Sequence, residues 1–255
     1  MVETVILIIL FGLAWGSFLN VVIYRLPIGM SLLKPASSCP HCGRNIRAVD
    51  NIPVLSFVLL RGRCRFCGAK IPLSYPLVEI LTPVCFLLCY LKFSLSFHFF
   101  ASCVFSSALI VLAVIDLYHQ ILPDAITLPG LGMALLYALF RPDLSFKEAL
   151  IGAVVGSGFL LFVYGAYYLM RKREGLGMGD VTMMLLVGAY LGWKLAVFTL
   201  VLGSFAGAAV GVLLVSVRKK DLQFALPFGT FLAPAAFVAL IWGTQALRAY
   251  QSLFQ

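Results

Sequence analysis

Charge is what this chain has least of. Only 11% of its 255 residues are charged, ten of them acidic, where a globular domain carries roughly 25%. Too little polar surface remains to face water, so an ordinary soluble enzyme fold is excluded. The same shortage excludes disorder, which needs low hydrophobicity and high charge. The 22 glycines follow no triplet period, against a collagen-like chain, and seven cysteines spread over this length do not make a small secreted disulfide scaffold. No internal repeat or low-complexity linker interrupts the sequence.

What is present in excess is apolar: 62% of residues. A chain of 27.9 kDa cannot bury that much in one core, so the surplus must face lipid. Residues 4–24 run without a formal charge, enough for a bilayer core of about 30 Å. A signal peptide is the rival reading, and it fails because no small-residue cleavage site leads into a soluble domain. Further apolar runs cover 77–91, 97–115, 125–140, 149–170, 181–192, 195–217 and 228–247. The expected fold is an all-α polytopic membrane protein of about eight transmembrane helices. Its expected parts are a first helix (1–24), a polar cytosolic insert (25–76) and a seven-helix membrane domain (77–255).

The connecting segments alternate in basicity. Fourteen of the 19 Lys and Arg residues fall in the first, fifth and seventh loops. The positive-inside rule places those loops in the cytosol and both termini outside. It also accounts for the net charge of +9 without nucleic acid.

The insert carries Cys39-Pro-His-Cys42-Gly and, after 21 intervening residues, Cys64-Arg-Phe-Cys67-Gly. Paired C-x-x-C elements at this separation fit a zinc-ribbon-like four-thiolate site for structural Zn2+, with rubredoxin-like iron as the alternative and His41 as a spectator. A cytosolic location favours metal over disulfide. Four occupied thiolates leave no open coordination position, so the site is structural, and so small an insert needs the ion to fold. Cys85, Cys89 and Cys103 fall in apolar runs, where packing accounts for them.

Few acids lie near the membrane: Glu79, Asp116, Asp124 and Asp180. An ionisable group at the centre of a spanning helix costs about 2.5–3.5 kcal/mol by insertion scales, so each needs a reason. A helix over 97–120 puts Asp116 about one turn inside its cytosolic end. The run 181–192 is too short to cross, and extending it over 177–194 puts Asp180 at the same depth. Before Asp180 stand Gly175, Gly177 and Gly179, a backbone that admits an extended peptide; tight helix packing and an N-cap role for Asp180 are the plainer alternatives. Asp116 has no cation within a turn, and His119 at i+3 is the polar candidate near it. Asp124 reads as the N-cap of the fourth helix, and Glu79 as an interfacial acid or the partner of a loop cation. Two facing carboxylates can share a proton, one activating water while the other polarises a peptide carbonyl. A proton-coupled transporter with a regulatory zinc domain explains intramembrane acids almost as well, and a membrane-tethered zinc adaptor is a third reading.

Taken together, the motifs resemble those of the bacterial type IV prepilin peptidases, the prepilin leader peptidase and N-methyltransferase family. The likeness runs through Gly16-Ser-Phe-Leu-Asn20-Val, Tyr24-Arg-Leu-Pro27, both cysteine pairs, Asn51-Ile-Pro53, Arg61-Gly-Arg63-Cys64, Tyr75-Pro76 with Glu79, Asp116, Pro123-Asp124 and Gly177-Met-Gly179-Asp180. The resemblance implies an inner-membrane GxGD-type aspartic endopeptidase with Asp116 and Asp180 as its catalytic pair and Gly177 and Gly179 in a substrate loop. Its implied substrates are type IV prepilins and type II secretion pseudopilins, cut after a glycine at the cytosolic membrane face. It further implies methylation of the new N-terminus from S-adenosylmethionine, whose binding residues no fingerprint reveals. Membrane lipids are the remaining implied partner.

Overall fold

The computed structural model describes residues 2–34, 36–172, 177–218 and 226–253. Arg173, Gly175, Lys219 and Lys220, on which the charge and glycine-loop readings partly rest, lie outside these residues. Among the described residues the chain is helical, with α1 (Val2–Arg25), α2 (Leu55–Leu59), α3 (Ser74–Phe93), α4 (Phe97–His119), α5 (Asp124–Ala138), α6 (Phe146–Arg171), α7 (Met178–Leu191), α8 (Trp193–Arg218) and α9 (Gly229–Ser252). No strand occurs among them, only two isolated bridges in the insert.

Each of the eight expected runs became a helix, but six, not eight, are long and apolar enough to cross a membrane. The exceptions are α5, 15 residues, and α7, 14 residues, about 22 and 21 Å long. The expected extension of the α7 run to Lys194 does not occur. Gly192, at φ +79°, ends α7, and α8 starts at Trp193. Ten of the 14 residues of α7 are buried, on every side, against α5, α6, α8 and α9. A helix that is apolar all round belongs in protein, where its length need not match a bilayer.

The described chain forms two compact units, Met1–Val111 and Leu112–Gln255, with the boundary inside α4. In the first, α1 packs on α3 through Gly12 and Gly16. A Cβ on Gly12 would stand 2.6 Å from the Pro83 Cα, and one on Gly16 2.9 Å from the Glu79 Cα. This is the small-xxx-small approach by which helices associate without help from water. The Trp15 indole N–H donates to Ser107 Oγ at 3.0 Å, tying α1 to α4 within this unit. In the second unit α6 and α7 touch backbone to backbone, where a Cβ on Gly152 or Gly188 would run into the other's carbonyl oxygen. Ser145 and Glu148 form a capping box that starts α6. Arg141 donates to the Tyr190 carbonyl at 2.7 Å, pairs with Asp143 and lies over the Tyr137 and Tyr190 rings. It thereby ties the α5–α6 connection to the last turn of α7.

Candidate active site and metal centre

The insert is built as two matching turns. The Gly43 N–H donates to the Cys39 carbonyl at 2.8 Å, and the Gly68 N–H to the Cys64 carbonyl at 3.0 Å. Both glycines take left-handed φ, +69° and +70°, which closes each turn under its own cysteine pair. All four sulfurs lie within 4.8 Å of one another, with Cys39 and Cys67 Sγ 3.9 Å apart. Sulfurs at about 2.3 Å around a tetrahedral zinc ion stand roughly 3.8 Å from each other, so the cluster fits that ion. The Cys67 and Phe66 backbone N–H groups pull the Cys64 thiol down to about 7, toward the thiolate a metal needs. His41 is not among the clustered ligands. The Arg44 and Arg47 guanidiniums both lie over the Phe66 ring, 5.2 and 5.4 Å from its centroid, which links one turn to the other. Arg65 pairs bidentately with Asp50 and holds that carboxyl below its usual range.

Among the described residues Glu79 forms no ion pair with a loop cation. Its Oε2 accepts the Val54 N–H at 2.7 Å, and Val54 sits at φ +62°, a strained conformation for a β-branched residue. Asn20 donates to the Tyr75 carbonyl at 3.0 Å. Glu79 thus holds the insert to α3, and Asn20 holds α1 to α3.

The second unit brings Asp116 and Asp180 together. Asp116, 5% exposed, lies one turn before the end of α4, and Asp180, 7% exposed, lies in the first turn of α7. They are near enough for the charge of one to act on the other. Asp116 Oδ2 accepts the Thr230 N–H at 2.7 Å, and the Thr230 hydroxyl stands 3.1 Å from both that oxygen and the Ala113 carbonyl. The partner of Asp116 is therefore the N-terminus of α9, not His119, and its partial positive charge favours an anion there. Asp180 differs. Its Oδ1 is buried with no hydrogen-bond partner, a cost tolerated where water or a ligand is meant to supply one. Asp180 is not the N-cap of α7, a position held by Gly177. Asp124 is not an N-cap either: Pro123 occupies that position, Asp124 is the first helical residue of α5, and the Thr127 hydroxyl lies 3.4 Å from its Oδ1.

The glycines beside the acids serve close approach. A Cβ on Gly179 would stand 2.7 Å from Leu122 Cβ, and one on Gly229 would stand 2.9 Å from Leu122 Cδ1 and 3.1 Å from Asp116 Oδ2. One side chain from the α4–α5 connection is thus gripped by the first turns of α7 and α9. Gly177 lies against Asp180 Oδ2, 3.3 Å from where its Cβ would be. Sequence reasoning passed over Thr230, Gly229 and Leu122, and only the Pro227-Phe-Gly229 break ahead of the last apolar run hinted at a special helix start. Gly229→Ala is expected to lower any activity that depends on Asp116 about tenfold or more, by pressing on its carboxylate, while the fold survives. Comparing kcat with the melting temperature checks this; full activity would mean that the α9 terminus does not position Asp116.

Comparisons agree with this two-part organisation. Residues 10–93 match the Bacterial Peptidase A24 N-terminal domain, and residues 103–212 match the Type IV leader peptidase family. The chain is 39% identical to the prepilin leader peptidase/N-methyltransferase of Pseudomonas putida, over 92% of this chain and 89% of that protein. It is 38% identical to the protein of the same name from Aeromonas hydrophila, over 97% and 94%, and 36% identical to that of Pseudomonas aeruginosa, over 95% and 91%. No solved structure matches the chain. Nothing in these likenesses favours the transporter reading of two intramembrane acids. Helices, paired carboxylates and relatives aligned over nearly their full length lead to one conclusion: the chain belongs to the type IV leader peptidase family.

Proposed function

We propose that the protein is a multi-pass inner-membrane aspartic endopeptidase that removes the leader of type IV prepilins or pseudopilins and methylates the N-terminus so released. Its first large loop faces the cytosol and both termini lie outside, on the charge distribution. The observation that carries the reading is the buried, unpartnered Oδ1 of Asp180 beside Asp116. Asp116, fixed at the N-terminus of α9, holds the negative charge and takes a proton from the attacking water. Asp180 holds the shared proton and donates it to the scissile carbonyl oxygen. When the tetrahedral intermediate collapses, Asp116 gives its proton to the leaving nitrogen and Asp180 takes one back from the gem-diol hydroxyl, so the water oxygen stays on the leader's new carboxyl and the pair returns to its starting state. Gly177 and Gly179 keep side chains away from the approach to Asp180, which suits an extended peptide.

Zinc bound by Cys39, Cys42, Cys64 and Cys67 is structural in this scheme. S-adenosylmethionine, when bound, supplies a methyl group on a sulfonium to the neutral amine, which releases its proton to water.

Incubating the detergent-purified protein with a prepilin peptide tests the reading. Mass spectrometry should show loss of the leader and, with S-adenosylmethionine added, the mass of one methyl on the product. A folded, zinc-loaded protein that leaves the peptide intact would refute it. Methylation needs no water between the acids, so Asp180→Asn is expected to methylate a pre-cleaved pilin peptide at the wild-type rate; loss of transfer in a folded variant would mean the two activities share a site.

A further inference from the structure

The two acids are held in different ways. Asp116 is fixed by its own carboxylate, which accepts the Thr230 N–H at 2.7 Å. Asp180 has no such partner on Oδ1, so the direction of its side chain depends on the backbone that carries it. That backbone is the start of α7, Gly177-Met-Gly179-Asp180, and two glycines in four residues give it little stiffness of its own. The turn is held from outside α7 at two points. Leu122 packs on Gly179. The other hold is polar and comes from the first turn of α5. Thr127 is fully buried there, with its hydroxyl 3.3 Å from Thr182 Oγ1. The Thr182 hydroxyl in turn donates to the Gly179 carbonyl at 3.0 Å. That carbonyl belongs to the peptide unit whose nitrogen is the Asp180 N–H, itself bonded to the Gly177 carbonyl at 3.1 Å.

We propose that Thr127 is a positioning residue of the peptidase site: through Thr182 it fixes the Gly179–Asp180 peptide and so aims the Asp180 carboxyl at the scissile carbonyl. The inference rests on the peptidase reading above. Thr127 touches neither substrate nor acid pair in this scheme and acts only through α7. The chain of hydroxyls has a direction. Thr182 gives its one proton to the Gly179 oxygen, which leaves its Oγ1 to accept the proton of Thr127. Hydroxyls in series polarise one another, so losing the outer one weakens the inner bond as well. Asp124 Oδ1 stands 3.4 Å from the Thr127 hydroxyl, a longer contact whose oxygen asparagine would keep. Packing alone does not call for a hydroxyl at this position. Valine has the shape of threonine, and burying an unpartnered hydroxyl costs about 1–3 kcal/mol. The contact with Thr182 offsets that cost and ties α5 to α7 across 55 residues of sequence. Small displacements matter here, because moving a reacting group by about 1 Å can cost about 10²-fold in rate.

Steady-state cleavage of a prepilin peptide by the full-length protein in detergent tests this, with the melting temperature as the check on folding. Thr127→Val should lower kcat about tenfold and leave KM within about twofold, because the substrate's own contacts are untouched. Thr127→Ser keeps the hydroxyl and should bring kcat back to within about threefold of the wild type. Thr182→Val should slow the reaction as Thr127→Val does. The double variant should be no slower than the slower single one, since both interrupt one chain. Wild-type kcat in a folded Thr127→Val protein would overturn the proposal. So would a Thr127→Ser protein as slow as Thr127→Val, or losses that multiply in the double variant, either of which marks a packing role alone. Should Thr127→Val fail to fold, Thr182→Val decides from a less buried position, and wild-type kcat there overturns the proposal equally. A folded wild-type protein that leaves the peptide uncut sinks the peptidase reading, and this inference with it.

Discussion

Asp116→Asn and Asp180→Asn should each reduce leader cleavage by about 10³-fold or more, with the helical content and zinc stoichiometry of the wild type. General acid–base groups contribute roughly 10²–10⁴ each, and neither substitution leaves a second group able to take over the lost proton transfer. Asparagine keeps the shape of aspartate, so packing is preserved. At position 116 it can still accept the Thr230 N–H through its carbonyl oxygen, but it cannot take a proton from water. At position 180 it has no acidic proton for the scissile carbonyl. Asp124→Asn is the control: its side chain reaches only a local threonine, and substantial activity should remain. A single-turnover assay on the three purified variants decides the matter. An inactive Asp124→Asn beside an active Asp116→Asn would show that the wrong acids have been paired.

Removing the metal should have the second largest effect, on structure before activity. The insert has little else to hold it. Its one α-helix is five residues long, and Leu33, Val49, Val58 and Leu59 are more than half exposed. The cation–π contacts around Phe66 and the Arg65–Asp50 pair are surface interactions worth little against the conformational entropy of ordering some 50 residues. Structural zinc in small domains contributes apparent binding energies of about 10–16 kcal/mol, which bound to the four cysteines would become folding energy for the insert. Chelation, or Cys→Ser at all four positions, should therefore expose the amides of residues 25–74 to hydrogen exchange while α6 and α7 stay protected. Unchanged protection in protein shown to be metal-free would mean that the insert folds on its contacts with α1 and α3 alone.

Some of this was legible in the sequence because it depends on local spacing. Two C-x-x-C turns, each followed by glycine, fix where four sulfurs go almost regardless of what surrounds them, and the left-handed Gly43 and Gly68 bear that out. An acid in an apolar run stands out wherever it falls, so Asp116 and Asp180 could be named before anything placed them together. Hydropathy also located all eight apolar helices. It could not measure them, because a buried helix and a spanning one look alike when both are apolar all round. The end of α7 was set by one backbone angle at Gly192 rather than by composition. Long-range partners were illegible for a different reason. Thr230 lies 114 residues from Asp116 in a run that gives no sign of function, and Glu79 found a backbone N–H exposed by an unusual turn at Val54 where sequence offered a choice of cations. The local caps went astray by small offsets: Asp124 stands one position inside α5, and Asp180 three positions past the cap of α7.

Leu122 makes three distant positions depend on one another. It is wedged against Gly179 from one helix and Gly229 from another, and Gly229 also borders the Asp116 carboxylate. Bulk added at either glycine presses on the same leucine, so changes at 122, 179 and 229 should not add. Trimming Leu122 to alanine opens the space that Gly229→Ala demands. That pair of substitutions, each harmful alone, is then expected to be better tolerated than the product of its parts, and lineages that enlarge one of these glycines should be those that have already shortened residue 122.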